Sequence, residues 1–494
     1  MSAPDAPAYD VAVIGAGVVG AAVARELSRY RLKIALVERE VEASFGTSKA
    51  NSGIIHAGFH DTPGSLKAQL CVAGNRAFDQ LSRELEVPFE RRGELVIAFS
   101  EEEVQALQDL ATRGRQNGVP DMQLLGRERA LELEPNLNPD ILGALFAPTA
   151  GIIGPYEYCF ALVENAVRNG VEPRLSSRVV GIRSLQGNGF VVETARGDLQ
   201  CRYVVNAAGL HADEIAGMVG LDDFRILPRK GEEYLLDKRV GALVRRVIFP
   251  VPNKKSKGLL VIPTIDGPVM VGPTSERIRD KEDFGTTRKG LRRVFRNAQK
   301  MVPAIRSSDV ITSFAGIRPV SSTGDFVIGA TTVHGFVNAA GIQSPGLTAS
   351  PAIADRVVDA LQAQGLVLEK RAGFVARREA VPRIRDHVER REYDRVAALV
   401  ERDPAYGRMV CRCESITEAE VREAVRRGHT TLDGVKYATR AGTGRCQGGF
   451  CTFRIMEIIS RETGMAWDRV TKKGPGTEVV LGILGKGRGH DHGD

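Results

Sequence analysis

Residues 9–38, YDVAVIGAGVVGAAVARELSRYRLKIALVE, open on an apolar run (Val11, Val13, Ile14) and pass through Gly15, Gly17 and Gly20. Apolar positions at helical spacing follow through Val23 and Leu27, and a second apolar run stops at Glu38. This predicts strand, turn, helix, strand, a βαβ unit. Glycines at those three places allow a tight turn, a close approach of backbone to a pyrophosphate, and close packing of helix on strand. The helix N-terminus presents unpaired N–H groups and the positive end of its dipole. Glu38 ends the second strand where a ribose diol would meet it. A dinucleotide site is therefore expected here.

Further along, helical periods cover 68–85, 101–117 and 155–169, the last started by Pro155 and stopped by Gly170. Strands are expected at 93–99, 178–182, 189–194 and 204–209, with QGNG at 186–189 as the turn between the second and third. From 227 the pattern changes. Runs at 227–236, 247–250, 258–263 and 269–273 have the spacing of an antiparallel sheet. Runs at 314–320, 325–330 and 335–340 follow, and 341–352 returns to strand, glycine turn and helix, which supplies a second helix N-terminus. The expected fold class is α/β. The nucleotide domain comes from about 8–62, 150–226 and 316–365, interleaved with a mixed or antiparallel-sheet substrate lobe from 63–149 and 227–315. A charged helical linker (371–404), a small helical domain (405–470) and a flexible Gly- and Lys-rich tail (471–494) carrying His490 and His492 complete the chain.

A length of 494 residues fits two or three domains. The net charge of +7 is spread among nearly as many acids as bases, which argues for a solvated surface with a preference for anionic ligands and against nucleic acid. Long apolar runs and a secretory leader are both lacking, so the expectation is a cytoplasmic protein without a transmembrane segment, for which a basic surface permits peripheral docking on the cytoplasmic face. Seven cysteines make no disulfide framework in a chain this long. Cys71, Cys159 and Cys201 sit in apolar contexts as buried thiols, whereas Cys411, Cys413, Cys446 and Cys451 gather near the C-terminus.

Two stretches carry candidate chemistry. The loop at 47–67, TSKANSGIIHAGFHDTPGSLK, is rich in donors and follows the βαβ unit directly. Thr47, Ser48 and Ser52 suit either a pyrophosphate or local turn capping. His56 and His60 are candidates for proton transfer, against simple hydrogen bonding. The second stretch is the quartet Cys411-Arg-Cys413 and Cys446-Gln-Gly-Gly-Phe-Cys451, separated by two expected short helices at 418–427 and 432–438. Four thiolates in two close pairs can enclose zinc or an iron–sulfur cluster. A single-residue spacer is unusual for zinc, and Arg412, Arg440 and Arg445 would offset the charge of a thiolate-bound cluster, so [2Fe–2S] is the reading.

GAGVVG with Glu38, TSKANSGIIHAG, VVNAAG, AGIRP and GIQSPGLT resemble the FAD oxidoreductases of the D-amino-acid oxidase and glycerol-3-phosphate dehydrogenase superfamily over the first 365 or so residues. Residues 408–464, with CRCESIT and TRAGTGRCQGGFC, are similar to the [2Fe–2S] module of bacterioferritin-associated ferredoxin, and the two-module layout resembles the A subunit of anaerobic-type glycerol-3-phosphate dehydrogenases. The resemblance implies a Rossmann-like FAD domain and a [2Fe–2S] cluster on Cys411, Cys413, Cys446 and Cys451. FAD contacts are implied at Gly15, Gly17, Val18, Gly20, Glu38, Arg39, Thr47, Ser48, Asn51, Ser52, Val180, Ala208, Gly209, Gly316, Arg318, Gly341, Ser344, Pro345, Gly346, Leu347 and Thr348. It implies Arg318 as the anchor of the substrate's anion, Lys230 near the ring, Tyr234 lining the pocket and His56 or His60 as the base. The expected reaction is oxidation of an anionic secondary alcohol, sn-glycerol 3-phosphate first, with electrons leaving through the cluster to a protein, partner subunit or quinone. Where respiratory relatives carry an HGGLR-like run this chain reads HAGFH, and NSGIIHAG with SPGLT is also similar to L-2-hydroxyglutarate dehydrogenases, so a 2-hydroxy acid is the alternative substrate. A redox-sensing or electron-transfer flavoprotein without its own organic substrate is the second alternative.

Overall fold

The computed structural model describes residues 8–185, 189–252, 257–480 and 482, so most of the expected QGNG turn and the part of the expected tail that carries His490 and His492 lie outside the described residues, whereas the start of that tail is tied down, the Leu432 and Asp433 N–H groups donating to the Thr471 (3.0 Å) and Lys472 (2.8 Å) carbonyls. The chain forms two compact units, Met1–Glu379 and Ala380–Asp494.

In the first unit, Tyr9–Ile14 lies at the centre of a sheet, parallel to Ile34–Val37 on one side and to Leu199–Asn206 on the other. Val11, Ala12, Val13, Ala35 and Leu36 have no solvent exposure, as expected for strands covered on both faces. Val171–Arg174 extends this sheet beyond Ile34–Val37, and the antiparallel pair Val179–Ser184 and Phe190–Thr194 extends it beyond Leu199–Asn206, which also pairs with Phe336–Ala340. Helices Val18–Leu27, Pro155–Arg168, Leu66–Leu85 and Gly346–Ala363 pack against one another.

A second, nine-stranded sheet draws Gln123–Gly126, Glu94–Ala98 and Gly143–Ala147 from one part of the chain and Ile226–Leu236 through Val310–Ser321 from another. Every pairing is antiparallel except that of Val247–Pro250 with Glu94–Ala98, so the interleaved mixed sheet is as expected. Two segment boundaries fall differently. Val310–Ser321 runs unbroken beside Ile226–Leu236, which keeps residues 316–321 in the second sheet. Helix Leu66–Leu85 packs on Gly346–Ala363 so closely that a Cβ on Gly74 would stand 2.1 Å from the Thr348 carbonyl oxygen.

The stretch at 371–404 is not an independent helical linker. Residues 371–378 are tied into the first unit: the Val375 N–H donates to Asn169 Oδ1 (2.8 Å) and Arg378 Nε to Glu164 Oε2 (2.6 Å). Helices Ile384–Glu389 and Tyr393–Arg402 belong to the second unit, where Ile384, Val396, Leu399 and Val400 pack with Ala405, Tyr406 and Ala419. Periodicity gave the charge of this stretch but not its apolar stripe, which is narrow. The core of the second unit joins helices Glu418–Arg426, Leu432–Thr439 and Thr452–Thr463 through Val421, Val425, Val435, Ile455, Met456 and Ile459.

Candidate active site and cysteine centre

The glycine turn is a cradle that only glycine fits. Gly15 has φ +105°, and a Cβ there would lie 2.4 Å from the Ala207 carbonyl oxygen; one on Gly20 would lie 1.9 Å from the Gly15 carbonyl oxygen. Backbone can therefore meet a pyrophosphate at the N-terminus of Val18–Leu27, where the Val18 N–H donates to Ser48 Oγ (2.9 Å). Glu38 sits at the same mouth, accepting from the Ala16 N–H (2.7 Å) and the Glu40 N–H (3.0 Å), and burial raises its pKa. The Ser177 N–H donates to the Glu38 carbonyl (2.7 Å), which brings the strand bearing exposed Val180 to this end. Ala208 and Gly209 (φ +56°) follow the parallel strand at the same sheet edge. This geometry and donor set fit FAD. Arg39 is committed elsewhere, to His211 (2.8 Å), Glu40 and Glu282 (both 3.0 Å).

The loop after the βαβ unit is stitched to both later segments. Thr47 Oγ1 donates to the Ile317 carbonyl (2.8 Å), Asn51 folds back onto the Ser48 carbonyl (2.7 Å), and the His56 N–H donates to Thr348 Oγ1 (2.9 Å). A Cβ on Gly316 would stand 2.1 Å from the Ala50 carbonyl oxygen, and one on Gly341 (φ +67°) would press on Ser321. Pro345, Gly346 and Leu347 form the start of the Gly346–Ala363 helix.

His56 is buried, with Nδ1 3.4 Å from Glu94 Oε2 and Nε2 3.2 Å from Ser344 Oγ. Glu94 is fully buried and accepts the Ala57 N–H (3.0 Å) with its other oxygen. Burial, joined by the charge of Lys257, holds the His56 pKa below its ordinary value, while Glu94 pulls it up. A neutral imidazole with its Nδ1 proton directed at Glu94 has Nε2 as an acceptor, facing the Ser344 hydroxyl. His60 is different. Its ring lies 4.1 Å from that of Phe59 and 4.9 Å from that of Phe249, neither ring nitrogen has a partner among the described residues, and burial drives its pKa well down. The geometry thus favours His56 over His60 as a base. Lys257 and Glu94 escape a sequence reading, because nothing in a loop lysine or a strand glutamate marks them. Lys257 Nζ stands 3.4 Å from Ser344 Oγ and 3.9 Å from Asp61.

Strand alternation separates the residues expected around Arg318. Antiparallel register sets Arg229 opposite Arg318, Gly231 opposite Gly316 and Glu233 opposite Phe314, all on one face. Lys230 and Tyr234 point to the other face, so the expected grouping of these two with Arg318 does not occur. Lys230 Nζ is held by Asp283 (2.7 Å) and the Gly285 carbonyl (2.9 Å), and Tyr234 packs into the core beneath the second sheet. On the Arg318 face the guanidinium donates to the Thr274 carbonyl, and buried Glu233 accepts from Ser52 Oγ (2.9 Å).

Burial raises the Glu233 pKa to about 7, against the opposing pull of Ser52 and Arg318. A carboxyl with a folded pKa above its unfolded value binds more protons when folded, so its stabilising share is complete at low pH and disappears as pH rises through about 7. Glu233→Gln is expected to flatten the loss of stability between about pH 5 and pH 8 by up to about 3 kcal/mol, read from urea midpoints across that range.

In the second unit, Cys411 Sγ lies 3.8 Å from Cys413 Sγ, which lies 3.9 Å from Cys446 Sγ, and Cys411 also hydrogen-bonds Cys451. Four thiols gathered in this way suit a thiolate-ligated cluster. Burial opposes ionisation of Cys446, but the N–H groups of Phe450 and Gly448 aimed at its sulfur hold its pKa below the ordinary thiol value. Arg440 Nε pairs with Glu414 (3.2 Å), as does Arg385 Nη1 (3.5 Å).

Residues 10–360 match the family model described as FAD dependent oxidoreductase, and residues 409–461 match the BFD-like [2Fe-2S] binding domain. A glycerol 3-phosphate dehydrogenase of Caloramator mitchellensis is 46% identical over 477 residues, covering 96% of this chain and 98% of that protein. The FAD-bound, dithionite-reduced L-alpha-glycerophosphate oxidase of Mycoplasma pneumoniae superposes with a TM-score of 0.72 at 32% identity, covering 76% of this chain and 99% of that one. An L-2-hydroxyglutarate dehydrogenase of Escherichia coli O17:K52:H18 is 30% identical, covering 72% of this chain and 93% of that protein. The chain belongs to the FAD-dependent oxidoreductases acting on CH–OH groups, and carries a C-terminal BFD-like [2Fe–2S] domain.

Proposed function

We propose that this enzyme oxidises sn-glycerol 3-phosphate to dihydroxyacetone phosphate and passes the electrons through its C-terminal centre to an external protein or quinone acceptor. The observation that carries this reading is His56, buried between Glu94 and Ser344, with Lys257 beside the same serine. When bound, FAD supplies a two-electron acceptor at its ring and the [2Fe–2S] cluster a one-electron relay. His56 Nε2 accepts the hydroxyl proton of the substrate, and the Glu94 carboxylate stabilises the imidazolium that results. Lys257 and Arg318 hold the substrate's anion, Arg318 through a fork suited to phosphate or carboxylate. Phe59 and Phe249 keep bulk water from the histidines. Full-length likeness to the Caloramator enzyme supports the phosphate ester.

The second reading, a 2-hydroxy acid, is favoured by the 30% identity with the L-2-hydroxyglutarate dehydrogenase of Escherichia coli O17:K52:H18. Anaerobic bleaching of the flavin by glycerol 3-phosphate, L-2-hydroxyglutarate, L-lactate and amino acids decides between them: bleaching by glycerol 3-phosphate is expected, and bleaching by the 2-hydroxy acid alone overturns the first reading. Arg318→Ala is expected to raise KM by about 10²-fold with FAD content unchanged; unaltered turnover at low substrate would remove Arg318 from the site.

A further inference from the structure

We propose that the exposed edge of the cysteine centre is the docking face for an acidic one-electron carrier protein. This rests on the reading of the centre as an electron relay. Cys411 and Cys451 are buried, Cys446 is half-buried and Cys413 is exposed, so the centre comes to the surface on the Cys413/Cys446 side. Two aromatic side chains of the same segment are exposed: Phe450, between Cys446 and Cys451, is 85% exposed and Phe453, two residues after Cys451, 58%.

Neither phenylalanine is needed by the core. Helix Thr452–Thr463 buries Ile455, Met456, Ile458 and Ile459, and Phe453 projects from outside that stripe. Phe450 lies in the loop that carries Cys446 and Cys451. Exposed aromatics beside a functional edge are the composition of an interface centre, where such anchors dominate binding. Arg412, Arg445 and Arg454, all exposed, lie beside Cys411, Cys446 and Cys451 in the chain, and Arg454 is fixed by its bond to the Met409 carbonyl (2.8 Å). Glu414, the acid next to Cys413, is buried against Arg385 and Arg440, so the exposed charged residues that adjoin the cysteines in the chain are Arg412 and Arg445.

Charge selects the occupant. A second copy of this chain carries the same net charge of +7 and is repelled. A lipid surface would need an apolar stripe to insert, and the stripe of the Thr452–Thr463 helix is already spent on the core. An acidic protein surface meets the rim arginines and covers the two phenylalanines. One-electron stoichiometry fits as well. Oxidising one secondary alcohol to a ketone releases two electrons and two protons, so two ferric or otherwise oxidised carriers are each reduced by one electron at this face, and the two protons pass to solvent.

The test is calorimetric binding of the full-length holoprotein to soluble cytochrome b5, an acidic haem carrier, with basic cytochrome c as the opposing probe. Cytochrome b5 is expected to bind at low ionic strength and to weaken at least tenfold at about 0.3 M salt, where the Debye length falls to about 5–6 Å. Phe450→Ser/Phe453→Ser and Arg454→Glu are each expected to weaken binding at least tenfold with iron and acid-labile sulfide content unchanged. Absence of cytochrome b5 binding, equal binding of cytochrome c, or binding indifferent to both the phenylalanine and the Arg454 variants overturns the proposal. So does sedimentation with phosphatidylserine vesicles that the phenylalanine variants abolish while cytochrome b5 binding stays intact. Flavin bleaching by glycerol 3-phosphate is scored separately: its failure sinks the substrate reading and leaves the docking result standing, whereas bleaching without carrier binding sinks the docking face alone.

Discussion

His56→Ala is expected to lower kcat by about 10²- to 10⁴-fold in protein that still carries its full complement of FAD. The cradle for the cofactor is built from Gly15, Gly17, Gly20 and Glu38, none of which touches the imidazole, so loss of the base leaves it intact. The acid limb of the kcat/KM profile follows the same residue. Burial and Lys257 hold the imidazole below its ordinary pKa, so the limb should lie below pH 6.5, and Glu94→Gln should move it lower by removing the charge that pulls the pKa up. Rapid-reaction reduction of the flavin by substrate measures both. A His56→Ala rate within threefold of the parent would mean that the proton leaves by another route.

The second large effect is expected at Glu414, far from that chemistry in the chain. Its carboxylate is 1% exposed and faces two guanidinium groups, Arg440 at 3.2 Å and Arg385 at 3.5 Å. Removing one member of a buried charged set strands the others, a loss of about 3–5 kcal/mol. Glu414→Ala should therefore unfold the C-terminal unit at markedly lower denaturant and deplete iron and labile sulfide, because Cys413 is the preceding residue. FAD content and substrate-driven flavin reduction should persist, since the first unit has its own cores. Cooperative unfolding at the parent midpoint with iron retained would show that Arg385 and Arg440 find other partners. An intermediate test is Arg385→Met, which removes a charge from the helix Ile384–Glu389 and should destabilise less.

The Arg385 contact shows why the 371–404 stretch defeats a reading by pattern. Its arginines and glutamates look like a solvated face, yet Arg385 is 8% exposed: besides its local partners Asp386 and Glu389 it reaches the buried Glu414 carboxylate, 29 positions later. Long-range pairing of that kind has no local signature. Lys230 and Tyr234 fail for a related reason. Both lie in the segment that crosses the active site, but a strand turns alternate side chains to opposite faces, and which face meets the flavin loop is set by the register with Val310–Ser321.

The sequence by itself determined the strand, glycine turn, helix and terminal acid of the dinucleotide cradle, and the two cysteine pairs. These signals are local: backbone that must turn tightly at φ +105° demands glycine, and thiolates that share a cluster must come in close pairs. Only the tertiary structure set the two histidines apart, by giving His56 a carboxylate and a serine and His60 two phenyl rings. It also brought Glu94, Lys257 and Glu233 to the site. Charge and burial act through space, and those neighbours come from strands and loops tens to hundreds of residues away.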